Sequence, residues 1–478
     1  MKKSSIKILF TASECAPFAK VGGLADVVSS LPKALKELGL EIKIVIPGYE
    51  IIDFKKYRFK LVSIFKFKNE KVKIYKGNLD KTNISVYLLE NDKYLSKGEI
   101  YPGNGAHYNL FLIKRFLFFS QLILEFLSKI KFKPQIIHCH DWQTAILPVL
   151  TKLAAKDERK KIKTLLTIHN LPYQGEWSPG PIFKFLGLKG DELKTLKIRD
   201  ESSDFNILEQ GVLNADIVTT VSPTYTKEIL TKIYGEELYK DLKKRKKDLY
   251  GILNGIDTEL FNPETDQNLK ANYLVNDFQK KVINKIDLQK TLKLPQDSKI
   301  PLFSFISRIV EQKGIDLITE SIPDLVKLNC QIVILGQGEK KYENMLIRIS
   351  KKFPKNISVN IRFDSVLARK IYAGADFILI PSRFEPCGLI QMIAQRYGTI
   401  PIARATGGII DSVDNKVSGF LFQEFKKEVF LKKIKEALNF YFKKTRWGKM
   451  IKNAMEKDFS WQKSSREYLK LYQKLLNE

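Results

Sequence analysis

The residues of this chain best equipped for chemistry fall in short clusters that directly follow apolar runs. Glu385 lies in Pro381-Ser-Arg-Phe-Glu-Pro-Cys-Gly-Leu-Ile-Gln391, immediately after the apolar run at 375–380. A helical pattern starts at about Leu389, so a carboxylate sits on a loop at the carboxyl end of a strand, and Gly388 leaves backbone N–H groups free at a helix start. Loops converge at that end of an open α/β sheet, and helix N-termini aim partial positive charge outward. For this loop alone, a solvated turn is the plainer alternative. In Ser307-Arg-Ile-Val-Glu-Gln-Lys-Gly314, Arg308 and Lys313 stand on a loop entering a helix, so both can reach one phosphate group. Lys20-Val-Gly-Gly23 closes the first apolar run; paired Gly22 and Gly23 let backbone approach a ligand, and Lys20 adds a point charge suited to a phosphate or diphosphate. This loop is neither G-x-G-x-x-G nor a Walker A sequence, which weighs against dinucleotide and ATPase chemistry. Leu335-Gly-Gln-Gly-Glu339 is a GxG turn able to approach a nucleoside, and Arg404-Ala-Thr-Gly-Gly-Ile-Ile-Asp411 is a small-residue loop able to donate N–H groups to phosphate.

His138-Cys-His-Asp141 has a spacing that raises a metal site. On a strand, however, His138 and His140 share one face while Cys139 faces away. The chain has four histidines and no distant partner cluster, so no metal is expected and a structural or acceptor-binding role is preferred. Asp141, at the strand's end, can contact sugar hydroxyls. His169-Asn-Leu-Pro-Tyr-Gln-Gly175 terminates the run at 164–168, and Asn170, Gln174 and Gly175 make a polar cluster suited to a ligand pocket.

Positioning these loops takes strands and helices in alternation. Short Val/Ile/Leu runs at 6–10, 41–46, 135–138, 164–168 and 216–221 alternate with amphipathic patterns, and after about Leu249 the series restarts at 302–307, 331–335, 357–361, 377–380 and 400–403. Near-continuous apolar strands separated by helices indicate parallel sheets covered on both faces. Two successive doubly wound units are expected, since 478 residues exceed what one core usually serves. The charged segment 239–248 is the expected linker. Tyr468, Leu471, Tyr472, Leu475 and Leu476 form one stripe of a C-terminal helix.

Composition narrows the function classes. The formal charge of +28 raises nucleic acid or an anionic membrane as partner, but the lysines are spread along the chain, with one dense cluster at 243–247 and no recognition-helix, zinc-finger or RNP-type pattern. No nucleic-acid or membrane partner is expected; the excess charge reads as a solvated Lys-rich surface with a contribution from an electropositive cleft. Cys15, Cys139, Cys330 and Cys387 form no CxxC pair, which points to a reduced, cytoplasmic chain without a zinc site. Met1-Lys-Lys-Ser-Ser enters a strand at once, so no signal peptide is expected. The apolar run at 116–127 contains Ser120, Gln121 and Glu125 and is too short to span a bilayer.

Taken together, Lys20-Val-Gly-Gly-Leu-Ala-Asp26, His169-Asn-Leu, Arg308 with Gln312-Lys-Gly, Glu385-Pro-Cys-Gly-Leu389 and Thr406-Gly-Gly408 resemble the motif series of bacterial glycogen synthases and plant starch synthases. The match runs from about residue 6 to the C-terminal helix, in the family's order and spacing. The resemblance implies an α/β GT-B architecture, two Rossmann-like doubly wound domains facing across a cleft. It implies an N-terminal acceptor-side domain at 1–248, completed by the helix 462–478, and a nucleotide-sugar-binding domain at 249–461. It further implies retaining, metal-independent and cofactor-free transfer of glucose from ADP-glucose to the non-reducing 4-hydroxyl of an α-1,4-glucan such as glycogen. Carried over by position, it assigns Arg308 and Lys313 to the diphosphate, with Lys20, Gly22, Gly23, Thr406 and Gly407 around the same region. Glu385 holds glucose hydroxyls, with Cys387, Gly388 and Leu389 supplying nearby backbone donors. His169 sits against the transferred sugar, Asp141 towards the acceptor, Asn254 approaches the sugar, and Asp26 supports the first loop. A retaining transferase using UDP-glucose or another acceptor is the enzymatic alternative, and a non-catalytic glucan- or nucleic-acid-binding protein the alternative of a different class.

Two places depart from the family pattern. Gln143 stands where the family commonly has His, and the loop holding Tyr101 and His107 matches only loosely, so no role is carried over to them. Ile393 stands eight residues after Glu385, where transferases of the sucrose-synthase-like branch often place a second Glu, which argues against that branch.

Overall fold

The structure is a computed structural model that describes residues 5–80, 82–101, 109–155, 162–198 and 203–477. The chain divides into two compact units, Met1–Gly255 with Trp461–Glu478, and Ile256–Ser460.

The first unit contains β1 (Lys7–Thr11), β2 (Glu41–Pro47), β3 (Lys60–Phe67), β4 (Glu70–Asn78), β5 (Ser85–Glu90), β6 (Ile136–His140), β7 (Lys163–Ile168), the short pair β8 (Glu176–Trp177) and β9 (Phe205–Asn206), β10 (Ile217–Thr220) and β11 (Leu249–Gly251). All but β8 and β9 form one sheet in the order β11-β10-β7-β6-β1-β2-β5-β4-β3. From β11 to β5 every neighbouring pair is parallel, and β4 and β3 continue the sheet as an antiparallel hairpin. The apolar runs are continuous because both faces are covered. Leu9, Val45, Ile137 and Cys139 face the helix Leu110–Lys129, while Ile8, Phe10, Ile44 and Ile136 face the helices Gly23–Glu37 and Trp461–Asn477. The chain begins at β1 in mid-sheet, takes β2 to one side and β6 to the other, and so leaves a topological switch point between β1 and β6.

The C-terminal stripe packs in this unit: Tyr468, Leu471, Tyr472 and Leu475 are buried, and the helix lies against Gly23–Glu37. The Tyr472 hydroxyl reaches His138 Nδ1 at 2.8 Å, anchoring the last helix to the middle of the sheet.

The expected linker at 239–248 is instead part of the first unit. Tyr239–Lys244 is helical with Asp241 and Leu242 buried. Arg245 donates to the carbonyls of Val212, Leu213, Ala215 and Asp216 at 2.7–3.1 Å, satisfying carbonyls at the end of the helix Ile207–Asn214. Leu249–Gly251 then adds β11 beside β10, so the crossing falls at Gly255 rather than 248, and the return at Trp461. The two crossings are tied together where Ile256 N–H donates to Phe459 O at 2.8 Å.

The second unit contains β12 (Leu302–Ile306), β13 (Gln331–Gly336), β14 (Ile357–Ile361), β15 (Phe377–Ile380), β16 (Ile400–Arg404) and β17 (Phe420–Phe422), all parallel, in the order β14-β13-β12-β15-β16-β17. By chain position this is the doubly wound order 3-2-1-4-5-6, with its switch point between β12 and β15. Among the described residues no helix is long and apolar enough to cross a membrane.

Candidate active site

In the second unit the loops after β12 and β15 are the two that flank the switch point, and they carry Arg308, Lys313 and Glu385. Lys313 Nζ lies 2.6 Å from Glu385 Oε2, which also accepts from Ser382 Oγ at 3.0 Å. Gly314 has φ +73°, and a Cβ there would stand 2.1 Å from Pro381 O, so a side chain would hold the two loops apart. Arg383 N–H donates to Gln312 O at 2.8 Å across the same seam. Arg308 stays exposed, with Nη2 3.2 Å from Gln312 Oε1. One cation of the pair is therefore held inward against a carboxylate, and the other is left outward on the same loop.

The loop after β16 backs this arrangement. Gly408 N–H donates to Glu385 O and Pro386 O at 3.1 and 3.2 Å, and a Cβ on Gly408 would stand 2.4 Å from Cys387 O. Thr406 and Cys387 are buried, Gly407 has φ +46°, and Leu389 caps the short helix Ile390–Arg396. Gln391, not singled out from sequence, locks the turn. Its Nε2 donates to Cys387 O, Gly388 O and Ser412 Oγ at 2.8–3.0 Å. In the GxG turn at 335–339, Ile309 N–H donates to Gln337 O at 3.0 Å and Glu339 N–H to Ile309 O at 2.9 Å, while Gln337 and Glu339 stay exposed.

In the first unit the loop after β1 departs from expectation in one respect. Glu14 is 3% exposed, and its Oε2 accepts from Val21 N–H at 2.6 Å and Gly22 N–H at 2.9 Å, while Oε1 accepts from Tyr101 at 2.8 Å. The Gly22 amide expected to face a ligand is thus spent on an internal carboxylate. Burial pushes the Glu14 carboxyl above its ordinary range against the opposing pull of those N–H groups. The sequence signal was a Glu six residues before Lys20, invisible without the turn that folds it back. Lys20 Nζ pairs with Asp26 at 2.6 and 2.8 Å near the start of the helix Gly23–Glu37. His107 lies outside the described residues.

At the ends of β6 and β7, His138 and His140 share a face with ring centroids 4.2 Å apart. His138 is bonded on both sides, to Tyr472 and to Thr167 Oγ1 at 2.7 Å. His140 Nδ1 lies 3.0 Å from His169 Nε2. Asp141 adopts φ +54°, an unusual conformation of the kind that clusters at functional sites, and its Oδ1 accepts from His169 N–H at 2.6 Å. Burial raises the Asp141 carboxyl to about 7, opposed by the His169 and Asn170 N–H groups, and lowers the His169 imidazole to about 3. Gln174 is structural: it accepts from Asn206 Nδ2, and Asn206 caps the helix Ile207–Asn214. Asn170 and Asn254, which follow β7 and β11, each keep a buried side-chain oxygen without a partner. Among the described residues no group of three or more His, Cys, Asp or Glu is placed to hold a metal ion.

The catalytic domain of starch synthase IV from Arabidopsis thaliana, solved bound to ADP and acarbose, is similar to this chain with TM-score 0.91 and 35% identity, covering 99% of this chain and 100% of that one. A sucrose-phosphate synthase from Thermosynechococcus elongatus shares the fold at TM-score 0.64 and 17% identity. The doubly wound pair is therefore a glycosyltransferase of the two-domain GT-B class. The starch synthase catalytic domain family matches residues 7–244, and glycosyl transferases group 1 matches residues 288–454. The glycogen synthases of Thermosipho melanesiensis and Thermotoga maritima are 42% and 41% identical, covering 99% and 98% of this chain and 100% and 99% of theirs. The chain belongs to the family of glycogen synthases and starch synthases, which are glucosyltransferases.

Proposed function

We propose that the protein transfers glucose from ADP-glucose to the non-reducing 4-hydroxyl of an α-1,4-glucan with retention of configuration. The observation that carries this is the Lys313–Glu385 contact at the switch point of the second unit, with Arg308 on the same loop. The Arabidopsis starch synthase, solved with ADP and acarbose bound, and the glycogen synthase relatives support the donor and acceptor classes.

Breaking the anomeric C–O bond leaves an oxocarbenium-like sugar and a diphosphate of growing negative charge. Cations set in advance where that charge develops lower the barrier by several kcal/mol. Arg308 and Lys313 take that part, supported by Thr406 and Gly407; Lys20 and Gly23 of the first unit are read as donor-binding. Glu385 accepts from glucose hydroxyls, and the turn of Cys387, Gly388 and Leu389 presents backbone donors beside it. His169 and Asn254 meet the sugar, Asp141 orients the acceptor, Gly22 with Asp26 shapes the Lys20 loop, and a phosphate oxygen takes the acceptor proton during front-face attack.

Purified protein incubated with labelled ADP-glucose or UDP-glucose, with and without glycogen, tests this. Label should enter polymer from ADP-glucose in the presence of glycogen. Incorporation from UDP-glucose alone would move the assignment to the other donor, and incorporation from neither would overturn it.

A further inference from the structure

We propose that His140 is a positioning residue that fixes His169 as its Nδ1–H tautomer, making His169 a one-way hydrogen-bond donor. The functional weight of this inference rests on the glucosyl transfer proposed above, in which His169 meets the sugar; the tautomer itself does not.

His140 is fully buried, packed against the His138 ring at 4.2 Å and the Phe10 ring at 5.5 Å. Its Nδ1 lies 3.0 Å from His169 Nε2, and its Nε2 is buried with no partner. Burial disfavours the charged form of both imidazoles, so each ring carries one hydrogen. A nitrogen–nitrogen contact of this length needs one hydrogen between the two atoms. If His169 donated it, the only hydrogen on His140 would sit on the buried Nε2, facing nothing. If His140 donates from Nδ1, only a lone pair is left unfilled. A buried orphan N–H is rarer in folded proteins than an under-used acceptor, so the second arrangement wins.

His169 then accepts at Nε2 and carries its hydrogen at Nδ1. With one nitrogen filled and the other protonated it has no free lone pair, so it cannot take a proton from a hydroxyl; it can only donate to an oxygen. The Asp141 carboxyl meets His169 at the backbone, where its Oδ1 accepts from the His169 N–H. The ring is thus a neutral counterpart to the cations of the second unit, suited to an uncharged sugar oxygen.

Nitrogen-15 NMR of the full-length protein, with its four histidines assigned by single substitution, reads the tautomer directly. His169 should show a protonated Nδ1 and a bare Nε2; the reverse overturns the proposal whether or not the protein makes glucan. Two variants separate positioning from packing. His140→Phe keeps a ring against Phe10 and His138 but removes the donor, and should lose roughly ten- to a hundredfold in kcat/KM, the usual effect of removing an orienting partner. His140→Asn keeps an N–H near the Nδ1 position and should recover much of the loss. A folded His140→Phe protein as active as the wild type, or a folded His140→Asn protein no better than His140→Phe, would show that the ring merely fills space. If neither variant folds, the wild-type spectrum decides. A protein that makes no polymer but shows the Nδ1–H form would sink the proposed reaction and leave the tautomer standing.

Discussion

Lys313 Nζ sits 2.6 Å from Glu385 Oε2 with side-chain exposures of only 15% and 9%. Breaking so enclosed a pair leaves the surviving charge without its partner, a cost of about 3–5 kcal/mol in buried cases. Lys313→Met and Glu385→Gln should each lower the melting temperature and reduce kcat/KM by roughly a hundredfold or more. The double variant should lose less than the two single losses combined, because the second change removes a charge already stranded. Calorimetry and glucan synthesis on the four proteins measure this, and strictly additive losses would show that the two groups work independently.

Asp141 yields a pH prediction with a definite sign. Its carboxyl stands at about 7 in the folded protein, against about 3.9 in an unfolded chain. Between those values the folded state holds the extra proton, so the Asp141 contribution to stability falls as pH rises from about 4 to 7 and stays low above that. The buried imidazoles of His138, His140 and His169 act in the opposite direction, since they gain protons on unfolding. They are common to wild type and variant and cancel in the comparison. Asp141→Asn, tolerated at φ +54°, should unfold near wild-type urea concentrations at pH 5 and at higher ones at pH 8. An equal gap at both pH values would refute the assignment of a buried, proton-retaining carboxyl.

Two glycines separate ligand approach from packing. A Cβ on Gly22 would meet nothing within 4 Å, whereas one on Gly408 would stand 2.4 Å from Cys387 O. Gly22→Ala should stay within about 0.5 kcal/mol of wild-type stability while raising KM for the nucleotide sugar. Gly408→Ala should cost about 1–3 kcal/mol by overpacking. Thermal unfolding paired with donor titration checks both, and an unchanged KM in Gly22→Ala would mean that no ligand comes near that turn.

Tyr472→Phe removes the hydroxyl that lies 2.8 Å from His138 Nδ1 and leaves that nitrogen buried without a partner. The expected cost is about 1–3 kcal/mol in the unfolding of the first unit, with KM for donor and acceptor unchanged. Hydrogen exchange at the sheet amides around His138 should quicken; exchange confined to the C-terminal helix would show that the contact does not tie that helix to the sheet.

Strands buried on both faces were legible because apolar residues follow one another in them with few interruptions, and the shared face of His138 and His140 follows from the two-residue period of a strand. The segments that became β3 and β4 escaped notice: Lys60–Phe67 lies at the sheet edge with Leu61, Val62 and Ile64 exposed, so hydrophobicity there marks no face of a core. The charges at 239–248 suggested solvent, but Arg245 spends its guanidinium on four carbonyls supplied by residues some thirty positions earlier. The site divides along the same line. Loops at strand ends advertise themselves through glycine and charge, whereas Glu14 turned back on the Val21 and Gly22 amides and Gln391 reaching Ser412 Oγ are contacts set by the folded loops, which residue spacing does not encode.

The first unit is assembled from chain on either side of the second, since Trp461–Asn477 covers the sheet face built from β1, β2 and β6. On the ribosome this inverts the usual order, in which domains are completed from the N-terminal end. The unit encoded in the middle is a contiguous segment and can finish first. The earlier-made sheet meanwhile waits with the strip of Val28, Leu31 and Leu35 lacking its final cover, and closes only when the helix Trp461–Asn477 has left the exit tunnel.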